Sequence, residues 1–125
     1  MRILIADSNS IERSALELVV KNIDGIEKSL GVSNFTGLSN QVDKFKPDII
    51  LLEWNLVKNI AKEASILLKA AKPHYLIILG GRKEVEKNAL AFGADCFIVK
   101  NNPLERLYAL INEFIKTKKK KLKEL

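Results

Sequence analysis

DIILLEWNL, residues 48–56, sets four consecutive aliphatic residues before a lone carboxylate, Glu53, and then turns polar. An aliphatic run without alternation is typical of a strand buried on both faces, as in a parallel sheet covered by helices. A carboxylate at the end of such a strand needs a partner, because burying an unpaired charge is costly. The stretch therefore predicts a central strand and raises the question of what Glu53 does.

Four more β-rich runs lie on either side of this strand and alternate with helical patterns. The predicted strands are 3–6, 28–33, 48–53, 75–80 and 96–100. The predicted helices are 11–23, about 39–45, 59–72, 82–92 and a fifth that runs from Pro103 into the terminal lysines. Strict β-α alternation predicts an α/β fold, a doubly wound five-stranded parallel sheet in the order 2-1-3-4-5 between two helical layers, flavodoxin-like in outline.

The helix boundaries follow from caps and breakers. A serine, Ser8 or Ser10, is expected to cap the first helix. Apolar residues at helical spacing indicate this helix: Ile11, Ala15, Leu18, Val19 and Ile23. Pro47 and Pro73 should end the second and third helices, and Gly93 the fourth.

Composition limits the possible functions. The chain has 125 residues, one cysteine and one histidine, so intrachain disulfides and Cys/His zinc sites are excluded. The net charge of +6 is uneven, since residues 116–125 hold six lysines and one glutamate and the remaining body carries only +1. No apolar run is long enough to span a membrane and no signal peptide is recognisable, so we expect a cytoplasmic protein without membrane contact. We divide the chain into a domain at 1–117 and a lysine-rich helical extension or tail at 118–125.

Chemistry-bearing residues stand at the predicted strand ends. Asp7 and Ser8 follow the first strand, Glu53 ends the third with Asn55 just beyond, Gly80 ends the fourth and Lys100 the fifth. The carboxyl ends of parallel strands share one edge, where ligands bind in such sheets. The sequence therefore predicts that two carboxylates and an ammonium meet at one edge.

Across about residues 1–117 the chain resembles the response-regulator receiver domains of two-component signalling. The matching stretches are ILIADSNS, KPDIILLEWNL and GADCFIVK. The resemblance implies an acidic pair after strand one, a phosphorylated aspartate ending strand three, a hydroxyl residue ending strand four, and a lysine before proline after strand five. It also implies Mg²⁺ bridging the acids and the phosphoryl group.

The match is partial, and the departures define a degenerate phosphoacceptor pocket. Asp7, Asn55 and Lys100 match the pattern, and Phe97 matches the switch aromatic. The departures are Ser8 for the second acid, Glu53 for the phosphoacceptor, Gly80 for the hydroxyl residue and Asn101 for the proline.

These departures argue against phosphoryl transfer. Loss of a carboxylate weakens a Mg²⁺ site, and Asp7 and Glu53 remain only weak metal candidates. The added methylene of Glu53 moves its oxygens by on the order of 1 Å, enough to slow an in-line transfer about 10²-fold. We expect no cofactor, no catalytic residue and no enzyme activity, with Mg²⁺ bound only if the chain is phosphorylated after all. In a chain that is not phosphorylated, Glu53 has two possible roles. It either mimics a fixed, active-like state by pairing with Lys100, or merely neutralises that lysine in a decayed pocket.

We therefore interpret the chain as a receiver-like, pseudo-receiver module that regulates through protein contacts. The expected face lies on the fourth helix, fifth strand and fifth helix and binds a regulatory protein or a second copy. The surplus apolar residues of the fifth helix are its candidates: Leu104, Tyr108, Leu110 and Ile115. Two alternatives stay open, a functional receiver in a phosphorelay that accepts a phosphoryl group at Glu53, and nucleic-acid contact through the lysine tail.

Overall fold

The computed structural model describes residues 1–71, 74–100 and 103–124. Within these residues the chain forms five strands and six helices. The strands are β1 (Arg2–Ala6), β2 (Lys28–Val32), β3 (Ile49–Glu53), β4 (Tyr75–Gly80) and β5 (Cys96–Val99). The helices are α1 (Ser10–Lys21), α2 (Phe35–Phe45), α3 (Trp54–Val57), α4 (Ala61–Ala70), α5 (Glu86–Phe92) and α6 (Pro103–Glu124). Short 3-10 turns precede α4 and α5 at Lys58–Ile60 and Lys83–Val85.

All strands are parallel and lie in the order β2-β1-β3-β4-β5, which confirms the predicted fold class and topology. In the register, Ala6 of β1 lies opposite Leu52 of β3, and Glu53 lies opposite Leu79 of β4. The carboxyl ends of β1, β3 and β4 are therefore level, which brings the residues that follow them to one edge.

Two apolar layers enclose the sheet. One face of the sheet packs on α1 and α6, and the other packs on α2 to α5. The residues of β3 alternate between the two cores: Ile49 and Leu51 belong to the first, and Ile50 and Leu52 to the second. Burial on both sides explains why the β3 sequence is continuously aliphatic. Among the described residues, the helices are all too short or too polar to cross a membrane.

The first helix differs from the prediction in its cap. Asn9, rather than either serine, is the N-cap, and its side-chain oxygen accepts the N–H groups of Ile11 and Glu12 at 3.0 Å each. The residues that α1 buries are Leu16 and Val20, followed by Ile23 just beyond the helix. Three of the apolar residues at helical spacing are exposed: Ile11, Ala15 and Leu18.

The other boundaries agree apart from small shifts. The helix α2 begins earlier than predicted, where Asn34 caps it, and ends at Phe45 just before Pro47. Gly93 ends α5 with φ 121°, as expected of a C-terminal glycine. The short α3 was not predicted. The expectations for Pro73 and Asn101 concern residues outside those described.

Candidate functional site at the carboxyl edge of the sheet

The predicted strand-end residues meet at one edge. Asp7 follows β1, Glu53 ends β3, and both are almost completely buried, with 1% and 2% of their surface exposed. Lys100 follows β5, and its backbone N–H donates to the carbonyl of Gly80 at the end of β4 (2.9 Å). The sheet thus brings together groups that are up to 93 residues apart (100 − 7) in the chain.

Two carboxylates hold the Lys100 ammonium. Its Nζ lies 2.9 Å from Oε1 of Glu53 and 2.6 Å from Oε2 of Glu12, a residue of α1. Burial by itself lowers the pKa of Lys100, but the contacts with Glu12 and Glu53 outweigh it and raise the pKa above its ordinary value. The hydrogen bond from Lys100 lowers the pKa of Glu12 in turn. Lys100 is therefore a fixed cation in this structure.

The sequence analysis missed Glu12. An acidic residue in the first turn of a helix is common, because it complements the positive end of the helix dipole. An acidic residue at this position therefore does not indicate an ion pair with a distant lysine. The packing of α1 against the sheet edge brings Glu12 to Lys100. Glu12 supplies, from α1, a second acid near Asp7 where the receiver pattern has one at the position of Ser8.

Glu53 divides its two oxygens between two partners. One oxygen, Oε2, accepts the backbone N–H of Leu56 at 3.2 Å and so caps the short α3. The other, Oε1, makes the ion pair with Lys100 without hydrogen-bond alignment. Burying this carboxylate is therefore offset by a cap and a charge partner. Both hypotheses for Glu53 include this ion pair: that Glu53 mimics an active-like state, and that it merely neutralises Lys100 in a decayed pocket.

Asp7 is less well satisfied. Its Oδ1 accepts the N–H of Asn9 at 2.9 Å, and its backbone carbonyl accepts from the Arg13 guanidinium at 2.7 Å. Oδ2 is buried and has no hydrogen-bond partner among the described residues. The pKa of Asp7 is raised to about 6, mainly by burial and to a smaller extent by Glu12, while the Asn9 N–H and Lys100 act in the opposite direction.

These groups do not fit a magnesium ion. Mg²⁺ needs near-octahedral oxygen ligands, but both Glu53 oxygens already have partners and only Oδ2 of Asp7 is free. Lys100 places a positive charge beside Glu53, where the metal would bind. Ser8 and Asn55 are exposed, and no group of three acidic, histidine or cysteine side chains in the described chain could hold a metal.

Gly80 and Phe97 pack directly against each other. A Cβ built on Gly80 would lie 2.7 Å and 2.8 Å from two ring carbons of Phe97, closer than side chains tolerate. The ring of Phe97 is buried and belongs to the core. The aromatic ring thus occupies the space that a serine or threonine side chain would need at position 80.

The candidate partner residues of α6 separate into three groups. Leu104 and Tyr108 are about half exposed, and Leu104 lines a cavity of about 200 Å³ with Ala15 and Leu16 of α1. Leu110 is half-buried on the other side of α6. Ile115 is buried against the first core cluster, so the expectation that it lies on a partner face is wrong.

The side chain of His74 lies away from this site. It precedes β4 at the amino edge of the sheet, is half-buried, and has its Nε2 2.9 Å from the carbonyl oxygen of Leu68. A serine triad at the carboxyl edge would have no histidine, because His74 is the only one in the sequence.

Comparison with known proteins places this fold among receiver domains. No protein-family model matches the chain, and no curated protein is similar to it in sequence. Solved structures are similar in fold at low identity, which supports the fold and not a shared activity.

Three of these structures are representative. The response regulator domain of Thermotoga maritima CheB is 20% identical with a TM-score of 0.74, and 94% of each chain is covered. The receiver domain of the Francisella response regulator 1452 is 18% identical with a TM-score of 0.78, covering 94% of this chain and 98% of that one. The N-terminal domain of an uncharacterized Wolinella succinogenes protein is 20% identical with a TM-score of 0.81, covering 97% and 98%. The chain therefore has the response-regulator receiver fold, as the sequence resemblance predicted.

Proposed function

We propose that this chain is a receiver-like regulatory module that acts through protein contacts and does not use phosphoryl transfer. The observation that carries the proposal is the packing of the Phe97 ring into the space beside Gly80. In the receiver pattern a hydroxyl residue ends the fourth strand, near the switch aromatic. Here Gly80 offers no hydroxyl, and the Phe97 ring packs where such a side chain would lie.

The charges of the site support the same proposal. Lys100 is held by Glu12 and Glu53, so it is not free to neutralise an incoming phosphoryl group. Glu53 is held by the N–H of Leu56 and by Lys100, so it is not aligned as an attacking nucleophile. With Glu53 and Lys100 both held in this way, regulation by this chain depends on the surface that the fold presents.

The test of this proposal is incubation with acetyl phosphate and Mg²⁺, followed by intact mass spectrometry with rapid handling. We expect no phosphoryl adduct, because transfer needs an aligned oxygen and a bound metal. A receiver domain with an intact acidic pair and a phosphoacceptor aspartate, treated in parallel, is the positive control. An adduct that maps to Glu53 or Asp7 would contradict the proposal and favour the phosphorelay alternative.

A further inference from the structure

The two helices on one face of the sheet expose apolar side chains that have no partner among the described residues. On α1, Ile11 is 81% exposed and Leu18 is 65% exposed, with Ala15 exposed between them. On α6, Tyr108 is 49% exposed and Leu104 is 43% exposed. Exposed apolar residues are ordinary when single, but a contiguous group marks a contact surface.

These residues form one surface because the two helices are neighbours. Leu104 of α6 and Ala15 of α1 line the same cavity of about 200 Å³. Ile11 and Leu18 lie one turn before and one turn after Ala15 on the exposed side of α1, and Tyr108 lies one turn after Leu104 on α6. We call this surface the α1/α6 groove. It differs from the face expected from the sequence, which lay between α5, β5 and α6.

The groove leads into the lysine-rich end of α6. Both helices start at the carboxyl edge of the sheet, and α6 continues nine residues beyond its last buried residue, Ile115. At 100° per residue, the stripe that carries Tyr108 and Asn112 continues into three lysines: Lys116, Lys119 and Lys123. Lys118 and Lys121 lie on other sides of the helix. An apolar surface is thus followed, along one helix stripe, by a positive one.

We propose that the α1/α6 groove binds an amphipathic helix of a partner protein, whose apolar stripe lies against Tyr108 and whose next turns are acidic. The groove supplies the apolar half of the contact, because an amphipathic helix can lay its apolar face into an apolar groove. The lysine stripe over eight residues, about 12 Å of helix, supplies the charged half. This inference rests on the proposed function and names the chemistry of the partner.

A second copy of the chain fits this surface less well. No nine-residue stretch of the sequence carries more than two acidic residues, so no segment matches the six lysines of 116–124. Two copies that met through this face would also bring their lysine-rich helices near each other. A nucleic acid could pair its phosphates with the lysines but would leave the apolar groove uncovered. The tail also has no interleaved aromatic residues for base stacking. An acidic amphipathic helix satisfies both halves.

The test uses synthetic helical peptides of about 20 residues, roughly 30 Å long. Each carries leucines at positions i, i+3, i+4 and i+7 in one half and glutamates in the other, in both orders of the two halves. One control replaces the glutamates by glutamine and another replaces the leucines by serine. Fluorescence anisotropy against the full chain should show binding by one of the acidic peptides and at least about tenfold weaker binding by both controls.

Variants of the protein locate the contact. Tyr108→Glu should weaken binding at least about tenfold, because it places a charge in a dry contact. Changing Lys119 and Lys123 together to glutamate should weaken it roughly fivefold or more. The matched control changes Lys118 and Lys121 to glutamate, which alters the net charge equally on other sides of the helix and should weaken binding much less.

Three results would overturn the proposal. One is no binding of either acidic peptide up to about 1 mM, which is weaker than useful recognition. Another is equal loss with the two lysine pairs, and the third is binding of a DNA duplex as tight as that of the acidic peptide. The last two would indicate general polyanion binding. A phosphoryl adduct at Glu53 would instead contradict the proposed function, so the two failures are distinguishable.

Discussion

At the scale of single residues, the site is defined by how each carboxylate finds a partner. Glu53 has a longer side chain than aspartate, and it uses that reach to cap α3 and to meet Lys100 at once. Glu12 completes the arrangement from α1. Asp7 is the exception, because one of its oxygens is buried without a hydrogen-bond partner among the described residues.

The raised pKa of Asp7 makes stability depend on pH. Its native pKa of about 6 lies above its ordinary value of 3.8, so the folded chain binds more protons than the unfolded chain between those values. The contribution of Asp7 to the free energy of unfolding is therefore complete below about pH 4 and is lost as the pH rises through 6. Asp7→Asn keeps the acceptor for Asn9 and removes the buried charge. We expect it to be more stable than the parent chain above pH 6, by on the order of 2 kcal/mol, and no more stable near pH 4.

Urea denaturation of both chains between pH 4 and 8 measures this difference. Glu12 and Lys100 interact with Asp7 and are present in both chains, so their own titration contributes to both curves. A stability difference that does not vary with pH would show that Asp7 titrates normally in the folded chain.

The contact between Gly80 and Phe97 gives a second prediction at this scale. Gly80→Ala should destabilise the chain by about 1–3 kcal/mol, because the new methyl group would push the buried Phe97 ring out of its position. Gly81→Ala is the matched control, since nothing lies within 4 Å of a Cβ there. Denaturant unfolding measures both.

A double-mutant cycle identifies the cause of that loss. In a Phe97→Leu background, which removes the ring, Gly80→Ala should cost clearly less than in the parent chain. An equal cost in both backgrounds would mean that the glycine is needed for its backbone and not for the space it leaves to the ring.

At the scale of elements, α6 carries both core and surface within adjacent residues. Leu107 is completely buried and Tyr108 is about half exposed, although the sequence places both in one broad apolar arc. The arc was wider than packing on the sheet requires. The structure assigns its middle, with Leu107 and Ile111, to the core and one edge to the groove.

This division predicts different costs for the same substitution at neighbouring positions. Leu107→Glu should unfold the chain, because it buries an unpaired charge. Tyr108→Glu should leave the fold intact and change stability by less than about 1 kcal/mol. Circular dichroism and thermal unfolding compare the two. If Tyr108→Glu unfolds the chain as Leu107→Glu does, Tyr108 is a core residue and the groove does not exist as described.

At the scale of the whole molecule, the two ends of the sheet have different chemistry. The carboxyl edge holds the buried acids paired with Lys100, and α6 carries the lysines past Ile115 in the opposite direction. The body of the chain, residues 1–115, carries a net charge of only +1. The lysine-rich end of α6 therefore lies away from the degenerate pocket, whereas the cavity beside Leu104 is also lined by Asp7, Glu12 and Lys100.

Local sequence patterns account for the five strands, the longer helices and the sheet order. The aliphatic run DIILLE is typical of a strand buried on both faces, and β-α alternation leaves few ways to connect parallel strands. The same alternation predicts from the sequence alone that Asp7, Glu53 and Lys100 lie at one edge. Gly93 also followed from local chemistry, since few residues other than glycine adopt a positive φ at a helix end.

Only the tertiary structure decided which partner each charge has and which side of each helix is covered. Glu12 reaches Lys100 across 88 residues, and no local pattern encodes that contact. Ile11 and Leu18 have helical spacing but lie on the exposed side of α1, because spacing gives the period of a helix and not its rotation against the sheet. That rotation is set by packing of Leu16 and Val20 into the core, which depends on residues distant in the chain.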